Sequence, residues 1–93
     1  MDAELDYKFR RELSEGKFIE AVVWLLPKPL PGSAHSFKYR LAYVDHDKCV
    51  VRFDNERGKG DHMHIGDQEF DYKFVDTKKL MVDFMVEVEK FKK

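Results

Sequence analysis

Upstream of residue 75, apolar residues recur at every second position, the period of a strand with one face in a core. Tyr7, Phe9 and Leu13 share a parity that Lys8, Arg10 and Glu12 do not. Leu5, Phe9 and Leu13 also stand four apart, as in a short helix. The strand is preferred because Ser14-Glu15-Gly16 reads as a turn into a second run, Phe18–Leu26. There Phe18, Val22, Trp24 and Leu26 alternate with Ile19, Ala21, Val23 and Leu25. Apolar side chains on both faces predict an interior strand. The stretch Pro27-Lys28-Pro29-Leu30-Pro31-Gly32-Ser33 cannot join a sheet ladder, because proline donates no backbone hydrogen bond. It is expected to connect two strands of one domain.

Phe37–Asp45 and Cys49–Asn55 continue the alternation, and their register follows from it. A two-residue loop at His46-Asp47 would set Leu41 against Arg52, mixing core with solvent. An odd loop, His46-Asp47-Lys48, sets Leu41 against Phe53 and Tyr43 against Val51. The other face then carries Arg40 beside Asp54, Ala42 beside Arg52, and Lys38. Cys49 shares the parity of Val51 and Phe53 and is expected in the core. Beyond a loop over Glu56–Asp61, Phe70, Tyr72 and Phe74 alternate with Asp71 and Lys73 in a further extended segment. The period then changes. Asp76 is a good N-cap, and Leu80, Met81, Phe84, Met85, Val88 and Phe91 form a helical stripe. Val82 and Val86 fall off that stripe and are candidates for a contact with another chain, a homodimer among the options. The predicted fold is α+β: a single domain, residues 1–93, with an antiparallel meander of about five strands and a C-terminal helix packed on one face.

Composition narrows the function classes. The chain is 43% hydrophobic and 14% aromatic, enough to anchor a packed interior rather than a disordered tail. Its longest apolar run, Ala21–Leu26, falls far short of the roughly 18–20 residues that span a bilayer, so no membrane partner is expected. Residues 1–6 are acidic with no apolar segment behind them, so no secretory signal is expected. The single cysteine, Cys49, excludes an internal disulfide and a cysteine-based zinc ribbon. Reducing cytoplasm is the expected setting. Seventeen Lys and Arg against eighteen Asp and Glu give a net charge of −1, so any polyanion must meet a local cluster.

The densest polar segment runs from Arg52 to His64, Arg52-Phe53-Asp54-Asn55-Glu56-Arg57-Gly58-Lys59-Gly60-Asp61-His62-Met63-His64. If residues 62–64 are extended, His62 and His64 project from one side and Met63 from the other. Four readings of this cluster compete. It is a solvated loop beside a structural Arg52–Asp54–Arg40 charge network. It is a metal-free phosphodiester-cleaving site, with imidazoles as general acid and base and cations neutralising the transition state. It is a metal site using His62, His64 and Asp54 or Asp61. Or Gly58-Lys59-Gly60 cradles a nucleotide phosphate, without the full phosphate-loop pattern. His35 and His46 carry no comparable signal.

The stretch Phe37-Lys38-Tyr39-Arg40-Leu41, and the run from Arg52 to His64 continued by Ile65-Gly66-Asp67, resemble the TumE-type toxin family of two-gene toxin–antitoxin modules. The resemblance extends through Phe18-Ile19-Glu20, Val23-Trp24, Pro27 to Pro31, Tyr72-Lys73-Phe74 and the helix with Leu80, Asp83 and Phe84. It implies a type II toxin acting beside a helix-turn-helix antitoxin. Met63 stands where the pattern usually has arginine, which removes one cation. Combined with the residue chemistry, the expectation is a metal-independent endoribonuclease without cofactor. His62, His64 and Lys59 are its catalytic candidates, and Arg40, Arg52, Asp54 and Arg57 bind the RNA. The runner-up is a non-catalytic module whose charged face engages the helix-turn-helix partner.

Overall fold

The first four alternating runs become strands in a computed structural model that describes residues 3–92; residues 1 and 2, part of the acidic start, and residue 93 lie outside the described residues. The strands are β1 (Glu4–Ser14), β2 (Lys17–Leu25), β3 (Phe37–Asp45), β4 (Lys48–Glu56), β5 (Gly60–Ile65) and β6 (Gln68–Asp71), followed by the helix α1 (Thr77–Lys92). They form one antiparallel sheet in sequence order, a six-stranded meander.

The central register is the expected one: Leu41 opposes Phe53, Tyr43 opposes Val51, Arg40 opposes Asp54 and Ala42 opposes Arg52. The device that sets it differs from the odd loop. Asp45 pairs with Lys48 across a two-residue turn in which His46 and Asp47 both have positive φ, 50° and 68°. Such a turn matches the right-handed twist of its strands. Parity is restored one step later, because Val44 opposes Cys49 while Tyr43 opposes Val51, leaving Val50 as a bulge. The bulge overturns the core placement of Cys49. Its partner Val44 puts it on the side of Arg40 and Arg52, half-buried, while Val50 packs against the core. Burial pushes the Cys49 thiol up, against the downward pull of Arg40 and Arg52.

The expected loop shortens to residues 57–59, and the single late segment gives way to a hairpin, β5–β6, turned at Gly66-Asp67 with Gly66 at φ 61°. Tyr72 and Phe74 lie beyond the last strand, yet both pack against the core. The Asp76 carboxylate caps the helix, accepting the Lys79 N–H at 2.7 Å. Leu80, Phe84 and Val88 are fully buried against Tyr39, Leu41, Tyr43, Val51 and Phe53, and Phe84 meets Phe53 edge to face at 5.8 Å. Each such side chain contributes about 1.5–3 kcal/mol through burial. Phe91, the last residue of the predicted stripe, is exposed, as are Val82 and Val86. Among the described residues no helix is long and apolar enough to cross a membrane. The helix covers one sheet face and leaves the other open.

Candidate functional site

Two rows of side chains cross the middle of that open face. The first runs Lys8, Val22, Arg40, Asp54, His62, Asp71, and the second Arg10, Glu20, Ala42, Arg52, His64, Glu69. His62 and His64 therefore share a face with Arg40, Arg52 and Asp54. Within the rows, Lys8, Arg10, Arg40 and Arg52 are matched by Glu20, Asp54, Glu69 and Asp71. The expected cationic patch is a charge-compensated lattice instead.

Its contacts are specific. Arg52 Nε lies 3.1 Å from Asp54 Oδ2, and another guanidinium nitrogen lies 3.0 Å from His64 Nε2. The same His64 nitrogen is 3.2 Å from Glu69 Oε2 and 3.9 Å from Asp54 Oδ1. His62 Nε2 lies 2.7 Å from the Lys59 carbonyl, to which it donates in that tautomer. Its Nδ1 is buried without a hydrogen-bond partner, 3.7 Å from Asp71 Oδ1 and 3.9 Å from Glu69 Oε2. Arg40 opposes Asp54 in register, but its guanidinium pairs with Glu20 on β2 at 3.3 Å. The anticipated Arg52–Asp54–Arg40 network is thus divided between two carboxylates.

Other candidates lie apart from the imidazoles. The Lys59 ammonium is exposed and pairs with Glu56 at 3.6 Å, so the backbone of Lys59, not its charge, engages His62. Arg57 is exposed in the same turn. The flanking glycines have a structural task. The Gly58 N–H donates to the Pro31 carbonyl at 2.6 Å, and a methyl group added at Gly32 would come within 3.1 Å of the Gly58 backbone. Their bareness lets the proline-rich connection dock on the β4–β5 turn. Met63 faces the helix side, where it packs against the core, so an arginine at this position would not stand on the histidine face.

Asp61 also faces away from the two histidines, which breaks the His62, His64, Asp61 ligand set. Among the described residues no group of three or more His, Cys, Asp or Glu is placed to hold a metal ion. Asp61 serves a different cluster. Its Oδ2 accepts from Tyr39 Oη at 2.7 Å and lies 2.7 Å from His35 Nε2. His35 Nδ1 accepts the Phe37 N–H at 3.1 Å, which leaves Nε2 to carry the proton toward Asp61. The ring stacks on Phe74 at 4.0 Å. Burial, then the Asp61 hydrogen bond, pushes the Tyr39 phenol far above its ordinary value. Beside them the Asn55 amide, fully buried, accepts the Tyr39 N–H at 3.0 Å and donates to the Phe37 carbonyl at 2.6 Å. Sequence reasoning missed this cluster. The available signal was parity: Asn55 and Asp61 share the core side with Phe53 and Met63, and buried polar groups require partners.

A small antiparallel α+β meander, with two imidazoles and a guanidinium among carboxylates on its uncovered face, is the class of protein these features define. The family model described as Toxin TumE matches residues 2–92, nearly the whole chain, and the chain belongs to that family. Comparison with curated proteins and with solved structures found no match. Membership in a toxin family implies an antitoxin as partner.

Proposed function

We propose that this chain is the toxin of a two-gene type II module, held in check by a helix-turn-helix antitoxin, and that it cleaves RNA without a metal at the open sheet face. The observation that carries the reading is the placement of His62 and His64 in neighbouring rows, with Arg52 in contact with the second ring. Residues two apart on a strand stand about 7 Å apart along the backbone, room for a phosphodiester between two imidazoles. One imidazole takes the proton of the RNA 2′-hydroxyl as its oxygen attacks phosphorus. The other donates a proton to the departing 5′-oxygen, leaving a 2′,3′-cyclic phosphate. Arg52 neutralises the charge added in the transition state, and Asp54 orients Arg52. The exposed Lys59 and Arg57 hold flanking phosphates, and Arg40 contributes where its pairing with Glu20 yields. RNA as the target makes the cytoplasm the working compartment.

The test replaces His62 and His64 together by alanine. The fold should persist, while growth arrest and RNA cleavage in the presence of chelator fall by at least about 10²-fold, the ordinary contribution of an acid–base pair. Undiminished toxicity in that double variant overturns the mechanism. A purified wild-type chain that leaves RNA intact but binds its antitoxin through the same face supports the non-catalytic reading instead.

A further inference from the structure

β6 is a four-residue edge strand, exposed throughout, with β5 as its neighbour in the sheet. From it Glu69 lies in register with His64, and its Oε2 sits 3.2 Å from His64 Nε2 and 3.9 Å from His62 Nδ1. One carboxylate therefore reaches both rings. The guanidinium of Arg52 lies 3.0 Å from the same His64 nitrogen, and the buried Nδ1 of His62 lacks a hydrogen-bond partner. Glu69 itself is about half exposed, its side chain at 54%. Leaving this position therefore uncovers little apolar surface.

We infer that the Glu69 carboxylate occupies the seat of a phosphodiester, which must displace it to bind. A carboxylate and a phosphodiester both carry one negative charge and two equivalent acceptor oxygens, so the imidazoles that face Glu69 serve either, and Arg52, in contact with His64, adds its positive charge beside them. Charge selects the diester over a terminal phosphate. Asp54 stays in place, buried against Arg52, and Asp71 remains 3.7 Å from His62 Nδ1. Exchanging one monoanion for another keeps the lattice balanced, whereas a dianion adds an uncompensated charge beside two carboxylates. Glu69 is thereby an internal competitor that sets the affinity of the face. The inference rests on the RNA-directed reading for its substrate, though not for its anion chemistry.

Glu69→Gln keeps the size of the side chain and removes its charge. Binding of a single-stranded deoxythymidine oligonucleotide, which lacks the 2′-hydroxyl needed for cleavage, is followed by nuclear magnetic resonance of the imidazole protons. Glu69→Gln should tighten binding about fivefold to tenfold, the effect of one charge removed at ~4 Å in a well-solvated setting, with the His64 signals moving most. Asp71→Asn, which removes a fully exposed charge that does not occupy the seat beside His64, should tighten binding less than Glu69→Gln does. Unchanged or weaker binding by Glu69→Gln, or an equal gain in Asp71→Asn, overturns the inference. RNA cleavage is scored separately on the wild-type chain. Cleaved RNA with no response to Glu69→Gln sinks the seat alone. Intact RNA with the expected tightening sinks the ribonuclease reading alone.

Discussion

Replacing Asn55 by alanine tests whether the motif around the β4–β5 turn is held by its buried amide. The side chain is fully enclosed and bridges β3 where its ladder with β4 ends, bonding the Tyr39 N–H and the Phe37 carbonyl. Deleting it orphans one donor and one acceptor, each costing about 1–3 kcal/mol when water cannot reach it. The expected loss is about 2–6 kcal/mol. Against a total of about 5–14 kcal/mol for a domain of this length, that ranges from about a seventh of the stability to all of it. Urea unfolding followed by tryptophan fluorescence measures it. With a slope of ~1.5 kcal/mol/M, the midpoint should fall by about 1.3–4 M without a change in slope. Asn55→Leu separates the causes, since leucine fills the volume and makes neither bond. It should be as damaging as alanine. A loss below about 1 kcal/mol in the alanine variant, or rescue by leucine, refutes the argument that polar satisfaction governs this position.

The docked proline-rich connection gives a second comparison. Gly32→Ala and Gly58→Ala both force a side chain onto positive φ, 87° and 81°, at a cost of about 1–3 kcal/mol. Only Gly32→Ala also meets the Gly58 backbone, at 3.1 Å, so it should lower the melting temperature more; equal losses would remove the contact from the account. The tyrosines predict the alkaline limit. Burial, then hydrogen bonds to Asp61 and Asp83, push the Tyr39 and Tyr72 phenols well above their ordinary value of 10.0. Their folded values are raised, so the stability they contribute is complete below about pH 10 and is lost as the pH rises further, where the unfolded chain ionises first. Absorbance at ~295 nm should show both phenols ionising only with unfolding; a reversible rise within the folded state at pH ~10 would contradict this.

The first four strands, the Leu41–Phe53 register and the shared side of His62 and His64 were legible because a side-chain period of two leaves one arrangement that buries a whole face. The helix stripe through Leu80, Phe84 and Val88 was legible for the same reason at its own period. Cys49 was misplaced because a bulge at Val50 costs the pattern nothing: either loop satisfies the same core parity, and only backbone geometry chooses between them. Glu69 escaped notice because its meaning depends on the hairpin at Gly66-Asp67. That hairpin brings a carboxylate back over rings that lie five and seven positions earlier in the chain.

The alternation of apolar and polar residues decided by itself that this chain forms an antiparallel sheet with a helix on one side, since hydrophobic burial acts on period and needs no knowledge of partners. Tertiary structure alone decided the electrostatic character of the open face and the His35–Asp61–Tyr39 cluster. Charge pairs and hydrogen bonds depend on distance in space, and here they join residues as far as 26 positions apart.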